Sequence, residues 1–286
     1  MKEKLGLVLE GGAMRGMFTA GVIDVMLEKE MSFDGCVGVS AGAAFGCNLK
    51  SKQKGRVLRY NLKYCGDKRY CSLRSLIKTG DMFGAQFCYH EIPDRLDPFD
   101  VKTFDENPMD FYVVCTDVVS GKPVYKLCNK ANSECYEWIR ASASMPLAAR
   151  IVELGGYKLL DGGISDSIPV EFMVKSGFRK NIVVLTQPRD YVKSAPSTMP
   201  MFKMSLKKYP GVIRAIENRH IVYNKSRDYL FEQERQGNAL VICPKEKLPI
   251  GRIEHKPEII KKTYELGRKA AEETFENAVF PLFTSR

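Results

Sequence analysis

Leu5-Gly6-Leu7-Val8-Leu9 is an unbroken apolar run between charged residues, the pattern of a strand buried on both faces. A glycine-rich turn follows, Gly11-Gly12-Ala13-Met14-Arg15-Gly16. The periodicity then becomes helical from Phe18 to Lys29, with Val22, Val25, Met26 and Leu27 forming the apolar face. A second strand pattern, Phe33 to Val39, runs into Ser40, and Ala41, Ala43, Ala44 and Phe45 start another helix. A strand–helix–strand–helix opening predicts an α/β fold, with a mostly parallel sheet covered by helices.

Residues 50–100 break this rhythm. They are rich in Lys, Arg, Tyr and Cys, with interruptions at Gly66, Gly80 and Pro93, and read as short helices and loops at the edge or mouth of the sheet. Phe111 to Cys115 is a strand that turns through Ser120-Gly121-Lys122-Pro123 into a partner, Val124 to Cys128. Glu134 to Ser142 reads as a helix. Tyr157 to Leu160 is a short strand that ends in Asp161-Gly162-Gly163. Pro169 fits the first turn of a helix that stops near Gly177, and Asn181 to Thr186 is another buried strand. Beyond Pro188 a Met-rich basic stretch is punctuated by Pro196, Pro200 and Pro210. A long helix from about Val212 to Gln236, a strand from Asn238 to Cys243 and a helix opening at Pro257 complete the chain. Ile260, Tyr264, Ala271 and Phe275 lie along that last helix. These patterns divide the chain into an α/β domain, 1–190, which carries the candidate catalytic motifs described below, and a mainly helical region, 191–286, packed on it or extending it.

Composition narrows the class. A chain of 286 residues can bury a full core, and no apolar run reaches membrane-spanning length. Met1-Lys2-Glu3-Lys4-Leu5 leads straight into the first strand, without the apolar segment and cleavage site of a signal peptide. Nine cysteines, many inside apolar runs and none in a C-x-x-C spacing, point to reduced thiols rather than disulfides or a zinc site. A cytoplasmic location is expected. The net charge of +10 has two readings, a solvated basic surface or attraction to an anionic membrane. Nucleic acid is not expected, because neither zinc-finger spacing nor an RNP-type aromatic signature is present.

Candidate chemistry begins with Gly38-Val39-Ser40-Ala41-Gly42, a G-x-S-x-G pentapeptide at a strand-to-helix junction. There the serine hydroxyl is thrust out of a tight turn at the positive end of a helix, and the flanking glycines avoid clashes. The bare pentapeptide also fits an ordinary turn, and its context favours a nucleophile. Such a serine needs a base and oxyanion donors. The Gly11–Gly16 turn can present converging N–H groups. By itself it could equally cradle a nucleotide phosphate or merely connect strand to helix, although the Gly-Lys-Ser/Thr ending of a P-loop is missing. The three histidines, His90, His220 and His255, sit in loop-like or polar helical contexts. Asp161 is better placed, ending an apolar strand at the sheet's carboxyl edge. Its ordinary pKa of about 3.9 makes it a weak base unless burial raises it.

Together, the three motifs resemble those of the patatin-like phospholipase family: a glycine-rich turn after the first strand, G-x-S-x-G, then Asp-Gly-Gly. Thr116-Asp117 with Gly121, Ala141-Ser142-Ala143-Ser144-Met145-Pro146 and Ile168-Pro169-Val170 look similar too. The resemblance covers residues 5 to about 188. It implies a three-layer α/β/α sandwich and a Ser–Asp dyad without histidine. Ser40 would attack an acyl ester of a lipid, Asp161 would accept its proton, and the N–H groups of Gly11, Gly12 and Ala13 would hold the oxyanion. Arg15 would hold the turn or contact a phosphate, with Gly38, Gly42 and Gly162 in support. No metal or cofactor is implied. Ala13 departs from the family, which has a third glycine there, and would be strained at positive φ.

Two rivals stand beside this reading. One is an α/β-hydrolase with a Ser–Asp–His triad using His220 or His255, against which Ser40 comes early, after about two strands. The other is a non-catalytic nucleotide- or phospholipid-binding protein using the Gly11 turn. Met199 to Tyr209 reads either as an interfacial segment or as a loop packed on the core. Tyr60, Tyr64, Tyr70 and Phe83 either form a lid or acyl pocket or pack as ordinary helices.

Overall fold

A computed structural model describes residues 3–277; Met1, Lys2 and residues 278–286 of the expected C-terminal region lie outside it. Strand β1 (Leu5–Leu9) is buried along its whole length. A 3-10 turn (Ala13–Arg15) leads into α1 (Gly16–Glu28), and β2 (Gly35–Val39) leads into α2 (Ala41–Lys50). Next come α3 (Arg56–Tyr64), α4 (Leu73–Thr79), a π-helical segment (Phe87–Leu96) and α5 (Val101–Glu106). Strands β3 (Asp110–Asp117) and β4 (Pro123–Leu127) form the expected hairpin, followed by α6 (Ser133–Ser142). A second hairpin, β5 (Val152–Leu154) and β6 (Tyr157–Asp161), precedes α7 (Val170–Lys175) and β7 (Lys180–Val184). The remaining elements are α8 (Met199–Ser205), α9 (Pro210–Arg235), β8 (Ala239–Ile242) and α10 (Pro257–Asn277).

The eight strands make one mixed sheet in the order β5-β6-β3-β2-β1-β7-β8, with β4 on the far edge of β3. The five strands from β3 to β8 along this path are parallel, while β4, β5 and β6 run antiparallel to their neighbours. One detail positions the site. Along one edge of β3, β2 pairs as far as Val39 opposite Val114, and β6 takes over with Asp161 opposite Cys115. The two strands therefore meet end to end. The residue after β2, Ser40, and the last residue of β6, Asp161, are brought together by register alone.

Period-two alternation sorts the strand side chains into two cores. Leu7, Leu9, Cys36, Phe111, Val113, Ile182 and Val184 pack on one face with α1, α2 and α10. Val8, Val37, Val39, Val114 and Val183 pack on the other with Met173, Tyr223 and Leu230. The result is helices on both faces of the sheet, as expected. The C-terminal elements belong to this packing: β8 extends the sheet, and α10 lies along α1. There Tyr264 Oη donates to Asp24 Oδ2 (2.6 Å) and Arg268 pairs with Glu28 (2.8 Å).

Some elements differ from the sequence reading. Pro200 and Pro210, read as breakers, stand at the starts of α8 and α9, where a missing N–H costs nothing. β5 is only three residues long, too short to show a period. All nine cysteines are free thiols. No described helix is long and apolar enough to cross a membrane.

Candidate active site

Ser40 sits between β2 and α2 with φ 55° and ψ −122°, a strained conformation for a non-glycine residue, worth roughly 1–3 kcal/mol. Its neighbours permit this turn. A side chain on Gly38 would overlap the backbone of Ala43, and one on Gly42 would overlap the Leu9 carbonyl. The Ser40 N–H donates to Ser142 Oγ (2.8 Å), and that hydroxyl donates to the Val114 carbonyl (2.6 Å). Ser142, at the end of α6, thus staples the turn to the middle of the sheet. The Ser40 carbonyl meanwhile accepts from the N–H groups of Ala43 and Ala44, both at 3.0 Å, which starts α2.

The Ser40 hydroxyl donates to Asp161 Oδ2 at 2.6 Å, and both residues are 6% exposed. Asp161 Oδ1 accepts from the Gly163 N–H (2.8 Å), and the Asp161 carbonyl accepts from Thr116 Oγ1 (2.8 Å). Its backbone N–H donates to Ser144 (2.8 Å). Gly162 lies against the Val114 carbonyl. The carboxylate is thus held at both oxygens, and the backbone that carries it at both its N–H and its carbonyl. Burial raises its pKa above the ordinary value, and the Ser40 hydrogen bond and the Arg219 charge partly oppose that rise.

The Gly11–Ala13 turn lies directly against the serine: a side chain on Gly11 would come within 2.9 Å of Ser40 Cβ. Among the described residues, none accepts a hydrogen bond from the Gly11 or Gly12 N–H. Ala13 has φ 50°, so the alanine does occupy the left-handed region, at a cost of about 1–2 kcal/mol. The turn rests on Glu10, a buried carboxylate that takes hydrogen bonds from the Thr186 N–H (2.6 Å) and Tyr223 Oη (2.9 Å). Burial raises the Glu10 pKa. The guanidinium of Arg15 is close by, with its Nε buried and unpartnered.

Two cavities meet at Ser40, with Ala13 and Met145 also on their boundary. One, of about 120 Å³, is walled mainly by apolar and aromatic side chains including Phe45, Tyr60, Tyr70, Phe83, Tyr89 and Ile139. The 50–100 region therefore lines this cavity through Tyr60, Tyr70 and Phe83, whereas Tyr64 packs edge-on against Phe87 at 5.3 Å. The other, of about 420 Å³, is polar and contains Asp161, Arg15, Lys193, Arg219, His220 and Arg252.

The histidines are placed apart from the Ser–Asp pair's hydrogen bonds. His90 Nε2 meets Glu137 (3.1 Å), and His255 Nδ1 meets the Cys65 carbonyl (2.7 Å). His220 lines the polar cavity, but its Nδ1 is buried without a partner. Among the described residues, no group of three or more His, Cys, Asp or Glu is arranged to hold a metal ion.

Comparison with known proteins agrees with this architecture. The family model for patatin-like phospholipase matches residues 7–174, from β1 through most of α7. The chain belongs to the patatin-like phospholipase family. A second family model, a domain of unknown function, matches residues 209–278. An uncharacterised Escherichia coli protein, YjjU, is 32% identical over 195 residues, 65% of this chain and 52% of that protein. A lysophospholipase, nte1, of Aspergillus fumigatus is 29% identical over 188 residues, 59% of this chain but 11% of its own length. The chain thus spans about half of one relative and about a tenth of the other. Among solved structures, VipD from Legionella pneumophila aligns over 96% of this chain and 67% of that one, with a TM-score of 0.48 and 12% identity.

Within this family member, three features of the site escape sequence reasoning. Ser142 lies in a segment that looked familiar, yet its bond to Ser40 joins residues about a hundred positions apart. The Glu10–Thr186–Tyr223 support is equally non-local. Arg219 Nε donates to the Gly163 carbonyl at 2.5 Å, bracing the Asp161 turn from α9, more than fifty residues away in sequence.

Proposed function

We propose that the chain hydrolyses acyl esters of lipids through a Ser40–Asp161 dyad and an acyl-enzyme intermediate. The observation that carries this reading is the 2.6 Å hydrogen bond from Ser40 Oγ to Asp161 Oδ2 at the junction of an apolar and a polar cavity. Ser40 Oγ attacks the ester carbonyl as its proton passes to Asp161. The carbonyl oxygen becomes an oxyanion facing the N–H groups of Gly11, Gly12 and Ala13. As the tetrahedral intermediate collapses, Asp161 returns the proton to the departing alkoxide, and the alcohol leaves. Water then attacks the acyl-serine while Asp161 takes its proton. Collapse of the second intermediate returns that proton to Ser40 and frees the acid. A carboxylate whose pKa is raised by burial suits this role, because it accepts a proton more readily than an exposed aspartate.

The cavities orient the ester. The acyl chain enters the aromatic-lined cavity, and the alcohol portion faces the polar one. α8 supports a peripheral contact with an anionic membrane. Met199 and Phe202 pack inward against Val212 and Ile216, while Met201 and Met204 are 53% and 75% exposed beside Lys203, Lys207 and Lys208. The inward side chains fit the packed reading of this segment, and the exposed methionines are what the interfacial reading would use.

The test is hydrolysis of nitrophenyl butyrate by the purified chain and by Ser40→Ala, Asp161→Asn and His220→Ala. The dyad requires the first two to lose turnover and the third to keep most of it. Full activity in Ser40→Ala would overturn the reading. Loss in His220→Ala alongside a fully active Asp161→Asn would favour a histidine base.

A further inference from the structure

The polar cavity beside Ser40 holds more positive charge than a Ser–Asp dyad needs. Four cations line it, from four separate segments: Arg15 after the glycine turn, Lys193 after β7, Arg219 on α9 and Arg252 ahead of α10. Among the described residues, none of the four lies within 4 Å of a carboxylate. The two carboxylates in the cavity, Glu10 and Asp161, are engaged by Thr186 and Tyr223, and by Ser40 and Gly163. The cavity is therefore electropositive, with donors left over. Arg15 Nε is buried without an acceptor. Arg219 spends its Nε on the Gly163 carbonyl, which leaves two terminal nitrogens for another acceptor.

We infer that this cavity is a subsite for the phosphate of an anionic lipid headgroup, held by Lys193, Arg219 and Arg252 together with Arg15. The inference rests on the acyl-hydrolase reading of Ser40. Position supports it, because the cavity opens on the alcohol side of the attacked ester, where a glycerophosphate would lie. Chemistry supports it too. Guanidinium groups match phosphate oxygens through paired hydrogen bonds, and an ammonium adds a point charge. The Lys193 ammonium is held 4.3 Å from the Tyr223 ring centre and 5.4 Å from that of Tyr191. Burial, followed by the nearby Arg219, pushes its pKa down to about 8. A bound anion would relieve that crowding. A choline headgroup finds no free carboxylate here for its positive end. Lys193, Arg219 and Arg252 all lie outside the segment matched as patatin-like, and the latter two lie in the domain of unknown function. The C-terminal region would then supply headgroup selectivity to a catalytic centre built by the first part of the chain.

The experiment uses monomeric short-chain substrates, so that attraction to a charged interface plays no part. Wild type, Lys193→Ala and Arg252→Ala are compared on dihexanoyl phosphatidylglycerol, dihexanoyl phosphatidylcholine and dihexanoyl glycerol below their micelle concentrations. Wild type should prefer the phosphatidylglycerol, mainly through KM. Each substitution should lower the ratio of its kcat/KM to that of dihexanoyl glycerol by about tenfold, the scale of one charge-assisted hydrogen bond. A wild-type ratio near one overturns the inference, and so does an equal fall for all three substrates. Inhibition of nitrophenyl butyrate hydrolysis by inorganic phosphate with no headgroup preference would mark a free-anion site and also overturn it. Failure of the acyl-hydrolase reading would look different: wild type would hydrolyse neither nitrophenyl butyrate nor any of the lipids.

Discussion

Ser142→Ala isolates the scaffold of the nucleophile from its chemistry. Ser142 is fully buried and touches neither proposed substrate cavity. Its hydroxyl accepts from the strained Ser40 N–H at 2.8 Å and donates to the Val114 carbonyl at 2.6 Å. The alanine removes both hydrogen bonds and leaves two buried backbone groups without that partner. At about 1–3 kcal/mol for each unsatisfied buried group, the loss is about 2–6 kcal/mol of stability. For a chain of this size that lowers Tm by roughly 3–10 °C. The released turn should also relax toward ordinary φ values and carry Ser40 Oγ away from Asp161. A displacement of about 1 Å typically costs on the order of a hundredfold in rate. Thermal unfolding and nitrophenyl butyrate turnover, both at a temperature where the variant is folded, check the two effects. A variant with unchanged Tm and unchanged kcat would refute the claim that this hydrogen-bond pair holds the elbow in its strained state.

Other outcomes follow from the same geometry. Asp161 must be ionised to accept the serine proton and its pKa is raised by burial. The kcat/KM for a neutral ester should therefore fall with decreasing pH along a limb centred above 3.8, and a limb at or below that value counts against Asp161 as the base. Asp166, with Oδ1 buried and unpartnered and Oδ2 accepting from Tyr125 Oη, has its pKa raised from 3.8 to about 6 by burial. The folded state then binds more protons than the unfolded state between those values, so stability should fall by up to about 3 kcal/mol as pH rises through that window. Denaturant titrations of wild type and Asp166→Asn should diverge from pH 4 to pH 7, and parallel curves would refute the assignment. The apolar cavity of about 120 Å³ is close to the roughly 150 Å³ that holds a benzene ring. Short acyl chains should therefore be preferred, and Phe83→Ala should move the optimum to longer nitrophenyl esters; an unmoved optimum would show that this cavity does not receive the acyl chain.

Much of the fold was legible because buried parallel strands write themselves as continuous apolar runs, as in Leu5–Leu9 and Asn181–Val184. Asp161 stood out as a candidate base from its place at the end of an apolar strand, and the resemblance paired it with Ser40; the contact itself arises from β2 and β6 sharing one edge of β3, a register that no local pattern encodes. Short elements were harder. β5 has three residues, and the π-helical Phe87–Leu96 carries Pro93, which reads as a break. Pro200 read as a break as well, although it opens α8. Three of the four cations of the polar cavity were invisible for another reason, Arg15 being the exception. Lys193, Arg219 and Arg252 are ordinary surface residue types in sequence, and only folding gathers them beside Ser40.

The account turns on Ser40 as a nucleophile activated by Asp161. Its most direct test is the rate and position of covalent labelling by a fluorophosphonate, read by intact mass and peptide mapping. The account predicts one label per chain, on Ser40, with labelling of Asp161→Asn slower by about a hundredfold to ten-thousandfold, the usual scale for a lost general base. A label on any other residue, or an Asp161→Asn variant that reacts as fast as wild type, would contradict it.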